Sequence, residues 1–190
     1  MKDCKKTLCF TISIFVVYAI LALSCASNSG VQSKEKPKPP VFDVTYEYES
    51  DNPAMSIVVS PKWDSGWLLS GYGGFACGFT NNTSKVAKIV WEGSTIYYGG
   101  SSYLPFIEGQ KYIDAKSNPM PATALPKEGY LLKMVYSSEQ PRYVSGQYGG
   151  WRMDPISTKS IQIIFQIDSE KGTEYVTANI SYHYEEEKSE

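Results

Sequence analysis

The stretch "SIQIIFQIDSEKGTEYVTANISYHYE", residues 160–185, decides the fold. In its first half Ile161, Ile163, Phe165 and Ile167 recur at every second position, with Gln162, Gln166 and Asp168 on the opposite side. In its second half Val176, Ala178, Ile180, Tyr182 and Tyr184 alternate with Thr177, Asn179, Ser181 and His183. Successive side chains of a strand point to opposite faces, so this period marks strands with one face on a core and one in water. Gly172 falls between the two runs and supplies the backbone freedom of a tight turn. The stretch reads as a closing β-hairpin.

The same period extends through the chain. "VFDVTYEYE", residues 41–49, puts Phe42, Val44, Tyr46 and Tyr48 on one face and Asp43, Thr45, Glu47 and Glu49 on the other. Further strand candidates are "SIVVS" (56–60), "GFACGFT" (74–80), "KVAKIVW" (85–91), "STIYY" (94–98) and "YLLKMVYS" (130–137). Clusters of Gly, Pro, Asn and Ser separate most of them. About eight short strands with turn signals between them predict an all-β fold, an antiparallel Ig-like β-sandwich over residues 41–184. The likeness to antibody domains is one of architecture, because their hallmark disulfide, and the Trp between its cysteines, are missing. "TNNTSK" reads as a hairpin turn, since Asn tolerates positive φ. Residues 101–129 carry four prolines and no sustained period. They read as a packed crossover through Leu104, Phe106, Ile107 and Leu125, with a functional loop as the alternative.

Ahead of the sandwich, Lys2, Lys5 and Lys6 precede an uncharged apolar run of 17 residues, Thr7 to Leu23. A basic start, an apolar run and small residues after it form the pattern of a secretory signal. The run is close to the lower limit of a membrane-spanning helix, roughly 17–25 residues, so a retained anchor is an alternative, as is ordinary cleavage. "ALSC", residues 22–25, resembles a bacterial lipobox, with Ala22 standing where Leu is favoured. The resemblance implies cleavage before Cys25 and acylation of its thiol. Residues 1–24 would then be the signal peptide, and Cys25 a lipid attachment point. Several acyl chains hold a protein on a membrane stably without a transmembrane helix. Residues 25–40, rich in Lys and Pro, read as a flexible tether with little to bury. Residues 185–190, "EEEKSE", form an acidic tail.

Of four cysteines, Cys4 and Cys9 lie in the signal, which leaves Cys25 and Cys77. A bridge between these two is the competing account of both; it would tie a floppy end to a core strand. Cys77 reads better as a small buried hydrophobe. Without Lys2, Lys5, Lys6 and Asp3, the 18 basic and 20 acidic residues become 15 and 19, a net charge of −4. With no basic stripe, a nucleic-acid partner is not expected.

The order of "FTNNTSKVAKIVWEGSTI", "GQKYIDAKSNPMPATALP", "GGWRMDP" and "IQIIFQI" resembles a group of uncharacterised bacterial envelope lipoproteins. The likeness covers residues 75–184 and implies an address and a fold. It brings no functional residues with it.

Catalytic chemistry finds little to work with. His183 is the only histidine, so no His-rich metal cluster exists, and "GYGGF" lacks the lysine of a phosphate loop. Asp43, Glu47 and Glu49 share a strand face, and the plain reading of it is a solvated surface. No cofactor and no enzyme activity are expected. The distinctive content is aromatic. Tyr-Gly-Gly occurs three times, at Tyr72, Tyr98 and Tyr148; Trp63 and Trp67 flank "DSG"; and Trp151 follows Gly150. Most of these suit hairpin corners. Exposed, they would give rigid amphipathic contact area for an envelope protein or a glycan. The expected activity is therefore non-enzymatic binding or adhesion by a lipid-anchored head. Strand-edge assembly is the alternative, and cell-wall hydrolysis a more distant one.

Overall fold

The hairpin read from residues 160–185 forms the centre of the larger sheet. The computed structural model describes residues 38–65, 70–147 and 149–185. The run read as a signal, Cys25, most of the segment read as a tether, Trp67, Tyr148 and residues 186–190 lie outside the described residues. The strands are β1 (Val41–Tyr48), β2 (Met55–Ser65), β3 (Ser70–Asn81), β4 (Ala87–Tyr98), β5 (Ser101–Tyr103), β6 (Pro105–Ile107), β7 (Thr123–Leu125) and β8 (Tyr130–Ser137). They continue with β9 (Pro141–Val144), β10 (Gly150–Met153), β11 (Ser160–Ser169) and β12 (Gly172–His183). A 3-10 turn at Tyr112–Asp114 is the only helical element among the described residues.

One sheet runs β1-β12-β11-β4-β5, with β7 also paired to β4; the other runs β2-β3-β8-β6; β9 and β10 form a separate hairpin. Every ladder is antiparallel. The two larger sheets pack face to face as an all-β sandwich. Phe79 of β3 meets Trp91 of β4 and Phe165 of β11 edge-on, with centroids 5.8 and 5.2 Å apart. Ile161, Ile163, Phe165, Ile167, Val176, Ala178 and Ile180 are all buried, as their alternation requires. On β1, Phe42, Val44 and Tyr46 are half-buried against the same core, while Asp43, Thr45 and Glu47 are exposed. The Ig-like character is architectural: here the first strand pairs with the last, Val41 opposite His183 through Tyr48 opposite Val176.

Two local readings change. "KVAKIVW" and "STIYY" belong to one strand, β4, interrupted by a bulge at "WEGS" where its register with β11 shifts between Ile164 and Gln166. The Ser94 hydroxyl donates to the Val90 carbonyl at 2.8 Å and accepts the Gln166 amide at 3.0 Å, so the backbone groups freed by the bulge keep partners. A Cβ at Gly93 would meet the end of the Gln166 side chain, which would have to move aside. The second change is "TNNTSK", which is not a hairpin turn, because β3 and β4 lie in different sheets. It is a corner built on Asn81. The side-chain amide of Asn81 faces the carbonyls of Lys85, Leu125 and Pro126 at 2.8, 3.0 and 2.9 Å, and its oxygen accepts from the Thr83 amide and hydroxyl. Buried carbonyls need donors, and one amide supplies several.

Residues 101–129 do cross between the sheets. β5 belongs to the first sheet, β6 to the second, and β7 returns to the first. Ile107 and Leu125 enter the main core, Leu104 is half-buried, and Phe106 is buried apart from that core.

Two outcomes follow from this packing. Asn81→Ala leaves buried carbonyls without donors and should cost about 3 kcal/mol, read as a lower urea midpoint at unchanged slope. Cys77 is fully buried, and burial pushes its thiol pKa well above the ordinary cysteine value. Site-resolved mass spectrometry after alkylation at mildly alkaline pH should find Cys77 unmodified in the native chain and modified after denaturation.

Candidate functional site

The aromatic residues singled out from the sequence separate into interior and surface. Tyr72 is fully buried, which removes it from any binding surface. Its amide and carbonyl both bond to Ile156, its ring lies 5.7 Å from Phe75, and burial raises its phenol pKa with Tyr182 adding to the effect. Trp63 is half-buried rather than displayed on a turn. It sits within β2 opposite Tyr72, with its ring 4.8 Å from Tyr182, 5.8 Å from Tyr72 and 6.1 Å from Phe42. These rings come from β1, β2, β3 and β12 and close one side of the sandwich. Tyr98 is half-buried and tied to its neighbours: its hydroxyl meets that of Ser137 in the opposite sheet at 3.0 Å, and its ring stacks on Tyr103 at 4.5 Å. Burial raises its pKa against the lowering effect of the Ser137 hydrogen bond.

Among the described candidates, Trp151 is the one that reaches the surface. It is 42% exposed on β10, directly across from Tyr143, which is 61% exposed on β9. The two rings meet edge to face at 5.6 Å, and Trp151 also stacks on Tyr112 of the 3-10 turn at 5.7 Å and 24°. Tyr112 in turn lies 5.6 Å from buried Phe106. A ladder of four rings thus runs outward from β6 to the β9–β10 hairpin. That hairpin belongs to neither sheet, and the ladder is its aromatic attachment. On its other face Arg142 stands opposite Arg152, and Asp154 offsets the repulsion by an ion pair with Arg142 at 2.6 Å. Ile113, 73% exposed, extends the apolar surface beside Tyr112. The sequence reading missed Tyr112 and Tyr143. The available signal was two short runs, "PRYV" and "GWRM", around a glycine-rich "SGQYGG".

A second candidate surface, a concave one, lies on the outer face of the larger sheet. Cross-strand register places Thr45, Asn179, Gln162 and Tyr97 in one row, with Asp43, Ser181 and Ser160 in the next. Together with the Gly99–Gly100 turn these residues line a cleft of about 470 Å³. His183 stands at its edge, with Nδ1 3.0 Å from Oδ2 of Asp43. Among the described residues no hydrogen bond joins His183 to a serine, so the nucleophile–base contact of a hydrolytic triad is not formed. Likewise, no group of three His, Cys, Asp or Glu among the described residues is placed to hold a metal ion.

The chain matches no protein-family model and no curated protein.

Burial sorts the tryptophans by role. Trp63→Ala opens a hole in a four-ring cluster and should cost about 3 kcal/mol in urea unfolding. Trp151→Ala loses ring contacts at a water-facing site and should cost about 1 kcal/mol. A larger loss at Trp151 than at Trp63 would contradict this division.

Proposed function

We propose that the protein is an exported bacterial envelope lipoprotein. In this reading it is anchored through Cys25, and its β-sandwich head binds an envelope partner without catalysis. The observation that carries the binding reading is the ladder Tyr112–Trp151–Tyr143. It places large aromatic side chains at the surface on a rigid support. Tyr and Trp bury much area on contact and have few rotatable bonds to immobilise, which suits recognition. The anchoring reading rests on the basic start, the apolar run to Leu23, the small residues around Cys25 and the proline-rich segment that follows.

Strand-edge assembly has less support. The outward amides of β2, at Ile57 and Val59, already donate to the hydroxyls of Tyr48 and Tyr46 at 3.4 and 2.7 Å. A partner strand would have to displace both. Hydrolysis also has less support, because His183 bonds to Asp43 and, among the described residues, to no nucleophile.

Metabolic labelling with a fatty-acid analogue should mark the wild-type chain and leave Cys25→Ala unmarked, with mature mass spectra beginning at residue 25. The released Cys25→Ala protein should still bind isolated envelopes. Adding Trp151→Ala and Tyr143→Ala should weaken that binding about tenfold, the scale of one lost contact. Unlabelled wild type retaining residues 1–24 would overturn the anchor, and undiminished binding by the triple variant would overturn the ladder as the contact surface.

A further inference from the structure

The cleft on the outer face of the larger sheet has a chemistry of its own, independent of the aromatic ladder. Its floor is low because short side chains, Ser160 and Ser181, occupy the middle of one cross-strand row. Asp43 rises on one side and Tyr97, 43% exposed, on the other. Gly99 and Gly100, with φ of 59° and 80°, form the rim on the Tyr97 side. Two consecutive positive φ values are what a two-residue hairpin turn of this hand requires, so glycine at both positions is a backbone demand. It also leaves that rim bare of side chains.

The polar groups inside are held in place before any ligand arrives. Gln162 Nε2 donates to Asn179 Oδ1 at 2.8 Å, and Asn179 Nδ2 donates to Glu47 Oε1 at 2.8 Å. This relay fixes both amide planes. Among the described residues, the Gln162 carbonyl oxygen and one N–H on each amide are left without a hydrogen-bond partner. Asp43 places Oδ2 against His183, and among the described residues its Oδ1 has no partner. The cleft offers carboxylate and amide acceptors, amide and hydroxyl donors, and an aromatic face, and no lysine or arginine lines it.

We propose that this cleft is a binding site for a neutral saccharide. A pyranose presents hydroxyls that each donate and accept, together with an apolar C–H face. Fixed amides and a carboxylate suit the hydroxyls, and an exposed tyrosine ring suits the C–H face. A phosphate or uronic acid would meet the Asp43 carboxylate with no lysine or arginine in the lining to offset it. The volume lies within the range of about 300–1,000 Å³ of ordinary small-molecule sites. Prior fixing of the amides lowers the entropy lost on binding.

The test is nitrogen-15 and saturation-transfer NMR on the full chain in detergent. The probes are neutral di- and trisaccharides of glucose, galactose, mannose and N-acetylglucosamine, with glucose 6-phosphate and glucuronic acid as anionic controls. At least one neutral sugar should shift amides at residues 97–100, 160–162 and 179–181 and receive saturation from the Tyr97 ring. Tyr97→Ala and Gln162→Ala should each weaken it about tenfold while the melting temperature is held. Tyr97→Phe should retain binding, since the ring face remains, and Trp151→Ala should leave it unchanged. Silence from every neutral sugar, tighter binding of the anionic controls, or equal affinity in Tyr97→Ala would overturn the proposal.

Discussion

The outer strand of the smaller sheet has backbone amides with no neighbouring strand, and the sandwich depends on how they are satisfied. On β2, the Val59 amide donates to the hydroxyl of Tyr46 at 2.7 Å and the Ile57 amide to that of Tyr48 at 3.4 Å. Both tyrosines belong to β1, the outer strand of the other sheet. An edge amide left open is an invitation to pair with another chain, and here side chains reaching between the sheets close it. The same tyrosines alternate with Asp43, Thr45, Glu47 and Glu49, so one period buries apolar rings, turns charges to water and ties one sheet to the other. A comparable restraint acts on β8, where β6 pairs only with Val135–Ser137. Along the remainder of β8, Lys133 occupies the row of Cys77, where a charge disfavours further pairing.

That arrangement explains the high aromatic content without assigning all of it to recognition. Phe42, Trp63, Tyr72 and Tyr182 form one cluster at the side where β1 and β2 face each other. Phe79, Trp91 and Phe165 form another in the centre, and the indole N–H of Trp91 donates to the Thr123 hydroxyl at 2.8 Å. A large ring fills space between sheets efficiently, and its polar atom is acceptable only where a partner waits. The ladder from Phe106 to Tyr143 differs because it ends in water. Its inner rings fix the β9–β10 hairpin and its outer rings remain available, so support and display come from one stack.

The two candidate surfaces also divide by chemistry. The ladder is aromatic and ends in exposed rings, suited to area burial against a macromolecule. The cleft is polar, concave and lined by fixed amides, suited to a small hydroxylated ligand. They draw on different strands: the ladder on β6, β9 and β10, the cleft on β1, β4, β11 and β12.

By itself, the sequence determined the longer strands, most of their inward faces and the all-β class, because a period of two is local information; Tyr48 and Tyr184, at the ends of their runs, were read as inward and are exposed. Ile161 to Ile167 and Val176 to Ile180 needed no tertiary knowledge to be read as core. The polar faces bearing Asp43, Asn179 and His183 were legible on the same ground. Apart from the closing hairpin of β11 and β12, only the tertiary structure decided which strands became neighbours. It turned "TNNTSK" into a corner between sheets, since a turn signal does not reveal whether the next strand pairs with the last. It buried Tyr72 and half-buried Trp63 while leaving Trp151 in water, though all three stand beside similar glycine and serine neighbours. It also made the cleft, because Asp43, Tyr97 and Gln162 lie on three strands far apart in sequence. Their convergence depends on cross-strand register, set by long-range hydrogen bonds that no local pattern encodes.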